Sequence, residues 1–160
     1  MIKLIAKNRY FILFCISVIY AFSLLVCSLD IPILEHHSFR QTQTAIISWY
    51  MSSPSDLVYT PLPIFGPPWS LNQELPIFQY LVKVISVYAG LDTLQGLQNV
   101  GRSLSWVFLL LTLVPIYYLS KLHSIDRDDF FIFSSLYLSA PLYVFFSTSF
   151  AIESTALFVS

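Results

Sequence analysis

Charge is scarce along this chain: eight Lys and Arg and nine Asp and Glu stand among 160 residues, 11% in all. Soluble domains carry about 25%, so the shortage excludes an ordinary soluble protein, as does a mean hydropathy of +0.71. The net charge of −1 excludes a strongly basic nucleic-acid binder. Cysteine is rarer still. Cys15 and Cys27 lie in one apolar run, and at ~1.5 Å per residue along a helix they stand beyond disulfide reach. They read as small hydrophobes. No Cys/His spacing suits zinc, and the adjacent side chains of His36 and His37 diverge, so no metal site can be drawn. Internal repeats and low-complexity tracts are also lacking.

Long apolar runs are what the chain has instead. Lys3, Lys7 and Arg9 precede an uncharged run from Tyr10 to Leu29, which as a helix reaches ~30 Å, one bilayer core. A signal peptide would have a shorter apolar region and a small-residue cleavage site, which Val26-Cys27-Ser28-Leu29 is not. The basic start predicts a cytoplasmic N-terminus, with Asp30 emerging outside. Residues 30–102 are mixed. Pro54, Pro61, Pro63, Gly66, Pro67 and Pro68 break them into loop, with Trp69 suited to the headgroup region. A helix from Pro76 to Tyr88, stopped by Gly90, is too short to span and carries a polar stripe of Gln79, Lys83 and Ser86. Ser103–Ser120 reads as a second span kinked at Pro115, and Phe130–Thr148 as a third containing Pro141. The turn between them carries Lys121, His123, Asp126, Arg127, Asp128 and Asp129. A fourth apolar segment starts near Glu153. The expectation is an all-α membrane protein: a polytopic helical bundle whose external loop 30–102 carries two juxtamembrane helices. Residues 1–160 then form the N-terminal part of a larger transmembrane domain in the cytoplasmic membrane, the loop facing the periplasm or exterior.

One stretch concentrates polar chemistry, Leu34-Glu35-His36-His37-Ser38-Phe39-Arg40-Gln41-Thr42-Gln43-Thr44-Ala45. Ser38 and Gln41 form a capping-box pattern at the start of a helix. Phe39, Ile46, Ile47 and Tyr50 share its apolar face, with Arg40, Gln43 and Thr44 opposite. In this topology Glu35, His36, His37, Arg40, Glu74, Lys83, Arg102 and Glu153 all lie near one membrane surface. Each has a plain structural reading: Arg102 and Lys83 as snorkelling cations, Glu74 and Glu153 as acids at helix starts. Together they suggest chemistry. A carboxylate in a water-poor interface can accept a proton, and cations beside it can hold a phosphate.

The layout resembles the GT-C superfamily of integral-membrane glycosyltransferases, in particular bacterial relatives of the protein O-mannosyltransferases and the lipid A aminoarabinose transferases. The resemblance rests on order and spacing. Residues 34–45 stand where the family has an acidic motif after its first span, and Glu74-Leu75-Pro76-Ile77-Phe78-Gln79-Tyr80 looks like the start of its second juxtamembrane helix. Gly101-Arg102-Ser103-Leu104-Ser105 resembles its arginine-bearing second span. The family usually has aspartate in the first motif; this chain offers Glu35, with Asp30 the nearest alternative. The resemblance implies that the full-length protein transfers a sugar from a polyprenyl-phosphate carrier to a lipid, glycan or protein acceptor, with inversion; residues 1–160 on their own are expected to be inactive. Glu35 would be the base, His37 would orient it or bind the acceptor, and Arg40, Lys83 and Arg102 would hold the phosphate. Glu74 and Glu153 would add polar contacts, and the helix after Pro76 would line the path of the lipid tail. Some members need a divalent ion, so a metal is a possible cofactor; membrane lipids are partners and nucleic acid is not. The rival expectation is a non-enzymatic polytopic scaffold or transporter fragment, or a truncated, inactive copy of the enzyme.

Overall fold

The computed structural model describes residues 8–33, 38–60, 62, 63, 66, 70 and 75–159. Its regular elements are helices: α1 (Arg9–Ser28), α2 (Ser38–Tyr50), a 3₁₀ turn (Pro54–Leu57), α3 (Ile77–Tyr88), α4 (Leu94–Leu111), α5 (Leu113–Leu122), α6 (Arg127–Ser139), α7 (Pro141–Thr148) and α8 (Glu153–Val159).

Local chemistry sets where the helices stop. Gly90 ends α3 at φ +68°, where Leu91 N–H donates to Ser86 O at 2.8 Å and Gly90 N–H to Val87 O at 3.1 Å. That is a Schellman motif. The same pair of bonds closes α5, from Ile125 to Ser120 at 2.9 Å and from Ser124 to Lys121 at 3.2 Å, but here Ser124 takes the left-handed position at φ 54°. Thr93 caps the start of α4 by accepting from Gly96 N–H at 3.0 Å. Pro141 forces Ala140 into extended backbone.

Two helices are long and apolar enough to cross a membrane, Arg9–Ser28 and Leu94–Leu122, and they mark the chain as a membrane protein. The second begins at Leu94 rather than at Ser103. Its first turns are too polar to read as part of a span, yet they are helical and packed. At ~1.5 Å per residue its 29 residues run ~43 Å, longer than a ~30 Å bilayer core. The expected third span is not straight: α6 and α7 meet at 59°.

Packing follows residue size. α1 lies along α6, and besides Leu25 and Leu138 the buried residues of both are small, Ser17, Ala21 and Ser28 on one and Ser134 and Ser135 on the other. Ser139 Oγ meets Ser17 Oγ at 3.2 Å. Small residues let helix backbones approach closely where lipid removes any hydrophobic drive. A second core joins α2, α3 and α4 through Ala45, Phe78, Val82, Leu97, Val100 and Phe150.

The faces of α2 are only in part those expected. Phe39 is 82% exposed and Tyr50 is exposed too, while Gln41, Thr44, Ala45, Ile47 and Ser48 are buried. Their hydroxyls need no distant partner: Thr44 donates to Arg40 O and Ser48 to Thr44 O, each at 3.0 Å. The small, self-satisfied stripe packs inward and the aromatics face out. Ser38 is the first helical residue of α2, not its cap.

Candidate functional site

A helix leaves its last carbonyls without partners, at the negative end of its dipole. At the end of α1 those groups meet a polar stripe on α4. Gln95 Nε2 donates to Leu29 O at 3.0 Å, Gln98 Nε2 to Ile31 O at 2.6 Å, and Arg102 Nη1 to Ser28 O. The spacing, three residues and then four, keeps all three side chains on one helix face. Arg102 is 2% exposed. A guanidinium so far from water requires partners, and the α1 terminus supplies one with matching charge.

The link between α7 and α8 plugs into the same end. Ser149, Phe150 and Ala151 are buried, so the backbone there must find partners. Phe150 N–H donates to Gln41 Oε1 at 3.0 Å, and Ser105 Oγ donates to Ala151 O at 3.0 Å. The Phe150 ring sits on Gly101, where a Cβ would overlap it, and meets Phe78 edge-on at 6.1 Å. Two residues after the plug, Glu153 Oε1 lies 3.5 Å from Arg40 Nε, both side chains partly exposed. Neighbouring residues of α2 thus hold both parts of this link, Gln41 the plug and Arg40 the start of α8.

Two cavities open here. Arg102, Gln41, Ser28, Thr148 and Ser149 line a small one of about 90 Å³. Pro32 also borders a groove of about 560 Å³ whose walls include Asp30, Thr42, Ile46, Trp49 and Gln98. Glu153 borders a third, apolar cavity of about 160 Å³ with Leu109, Tyr143 and Phe146.

Among the residues expected to carry function, Arg40, Arg102 and Glu153 gather at this end of the bundle. Lys83 is held apart from them. Its Nζ lies 2.8 Å from Asp92 Oδ1 and 5.6 Å from the centre of the Trp49 ring. Asp30 borders the larger groove. Glu35, His36, His37 and Glu74 lie outside the described residues. No group of three His, Cys, Asp or Glu among the described residues is placed to hold a metal ion. Gln41, Gln95 and Gln98 were not anticipated; the recurrence of Gln95, Gln98 and Arg102 at helical spacing is the signal that marks the last two.

Chemically the arrangement offers a buried cation beside a small cavity, an ion pair at its flank, and an apolar groove with a carboxylate at the edge. No family model matches this chain, and neither a curated protein nor a solved structure matches it.

Proposed function

We propose that the protein transfers a glycosyl group from a polyprenyl-phosphate-linked sugar to a hydroxyl acceptor on the outer side of the cytoplasmic membrane. In this reading the N-terminus is cytoplasmic and residues 30–102 are external. The observation that carries it is the buried Arg102 guanidinium, which borders a cavity at the end of α1. Glu35, two residues beyond the groove-lining Ile33, removes the proton of the acceptor hydroxyl. The acceptor oxygen attacks the anomeric carbon from the face opposite the phosphate. The bond to the phosphate oxygen breaks, and the electron pair leaves with the lipid phosphate. Arg102, with Arg40 at its flank, stabilises the charge that develops there. Lys83, tied to Asp92, is outside this set.

A second reading has its own support. Gln95, Gln98 and Arg102 all bond carbonyls at the end of α1, which is what a purely structural clamp in a membrane scaffold would do. Transfer of label from a radiolabelled polyprenyl-phosphate sugar, in membranes holding the protein or its Glu35→Gln variant, separates the two. The enzyme reading expects transfer with the natural chain and its loss in the variant. Equal transfer in both moves the base, with Asp30→Asn the next variant to compare. No transfer from any polyprenyl-phosphate sugar by either protein favours the scaffold.

A further inference from the structure

The larger groove and the small cavity differ in the chemistry that they present. Asp30 is the one charged residue lining the groove among the described residues, and no cation borders it. Its other polar groups include the acceptors that a hydroxyl-rich ligand needs. The carbonyls of Leu29 and Ile31 can only accept, so the amide nitrogens of Gln95 and Gln98 must face them. That leaves both amide oxygens as acceptors. Thr42 Oγ1 is buried and has no hydrogen-bond partner among the described residues, an exception in folded proteins that asks for a ligand or a water. Trp49 and Tyr50 add flat apolar walls, and Ile33, Ile46 and Leu94 make the rest greasy.

A phosphate needs positive charge, and among the described residues no cation lines the groove. A sugar supplies hydroxyl donors in number. The volume of about 560 Å³ falls in the range that buries a small organic ligand. We infer that the groove binds a neutral glycoside, its hydroxyls on Asp30, Gln95, Gln98 and Thr42 and its apolar aglycone along Ile33 and Ile46. This rests on the proposed transfer reaction in one respect: the glycoside is assigned as the acceptor, across Pro32 from the phosphate side at Arg102. Pro32 borders both spaces.

The test uses the protein in phosphatidylcholine vesicles, with Trp69→Phe and Trp106→Phe so that Trp49 alone reports. Hexyl glucoside, hexyl phosphate and hexanol are titrated without any donor. A saturable change in Trp49 emission is expected for the glucoside, at least about tenfold tighter than for the other two. Asp30→Asn, in the exposed turn after α1, weakens glucoside binding about tenfold and narrows the gap to hexyl phosphate, because it removes a charged acceptor. Thr42→Val, similar in shape, weakens it several-fold. Hexyl phosphate binding as tightly as the glucoside, hexanol binding as tightly, or no saturable signal would each overturn the assignment. The readout is independent of turnover. Glucoside binding without any transfer activity keeps the groove and removes the reaction, and transfer activity without glucoside binding does the reverse.

Discussion

Where α1 finishes, side chains reach across the chain to backbone. Arg102, Gln95 and Gln98 bond carbonyls at and just beyond the end of α1, Gln41 takes the Phe150 N–H, and Ser105 bonds Ala151 O. Where α5 turns into α6, the contacts are of another kind. Tyr117 meets Phe130 at 5.5 Å, Phe131 touches Phe11 and Phe14, Lys121 rests over Tyr117 and Arg127 over Phe131. Ring contacts tolerate sliding and tilt, whereas a bond to a carbonyl fixes distance and direction. The first end is therefore held to one geometry, as a site that acts on a substrate requires, and the second is held together without being fixed so closely.

Substitutions at the two ends should separate these roles. Arg102→Leu is expected to cost the most, about 2–3 kcal/mol, because Ser28 O loses a charged donor inside the protein; Arg127→Ala at the other end should cost only about 0.5–1 kcal/mol, as an exposed cation–π contact does. Unfolding in a graded denaturing detergent measures both, and equal losses would erase the contrast. Gly101→Ala comes next, at about 1–3 kcal/mol, since its Cβ overlaps the Phe150 ring. It should also loosen the link at Ser149–Ile152, seen as faster amide exchange there. Ser124→Gly should stabilise the α5–α6 turn by about 0.5–1 kcal/mol, because the left-handed position no longer crowds a Cβ; no gain would mean that the serine fits this turn without strain.

The smallest effect concerns the 3₁₀ turn. Burial pushes the Asp56 carboxyl up, but hydrogen bonds from the N–H and hydroxyl groups of Ser52 and Ser53 outweigh it and hold the value below the usual carboxylate range. A folded value below the unfolded one gives stability that is present above the unfolded pKa and lost as pH falls through the folded one. Acidification past the carboxylate range should therefore open residues 52–58 locally. Once corrected for its intrinsic pH dependence, amide exchange there should rise in the natural chain and stay flat in Asp56→Asn.

Much of this was legible in sequence where one rule acted alone. The uncharged run became α1 nearly residue for residue, and Gly90 ended α3 because only a left-handed position closes that turn without strain. The reading failed where polarity faced protein instead of water. Gln95 and Gln98 made the start of α4 look like loop, although their amides are what fixes it against α1. On α2, hydroxyls that bond their own backbone behave as small packing groups, so Thr44 of the expected polar face is buried while Phe39 and Tyr50 of the expected apolar face are exposed; Ile47 is buried as expected. Nothing local announces that Phe150 inserts against Gly101; that contact depends on the bend at Pro141 and on Gln41, far away in the chain. Arg40, Arg102 and Glu153 were named from charge alone, and their gathering at one end follows from this plug. Lys83 carried the same signal and instead met Asp92, nine residues on and close across the α3–α4 turn.

The most direct measurement is transfer from a labelled polyprenyl-phosphate sugar by Arg102→Lys protein against the natural chain, normalised to the folded fraction in membranes. Lysine keeps the charge but not the planar fork that the proposed reaction needs to hold a phosphate while bonding Ser28 O. At least a tenfold loss of transfer is expected, with most of the protein still folded. Transfer at the natural rate in the folded Arg102→Lys protein would contradict it, and would leave Arg102 as a clamp on α1 and nothing more.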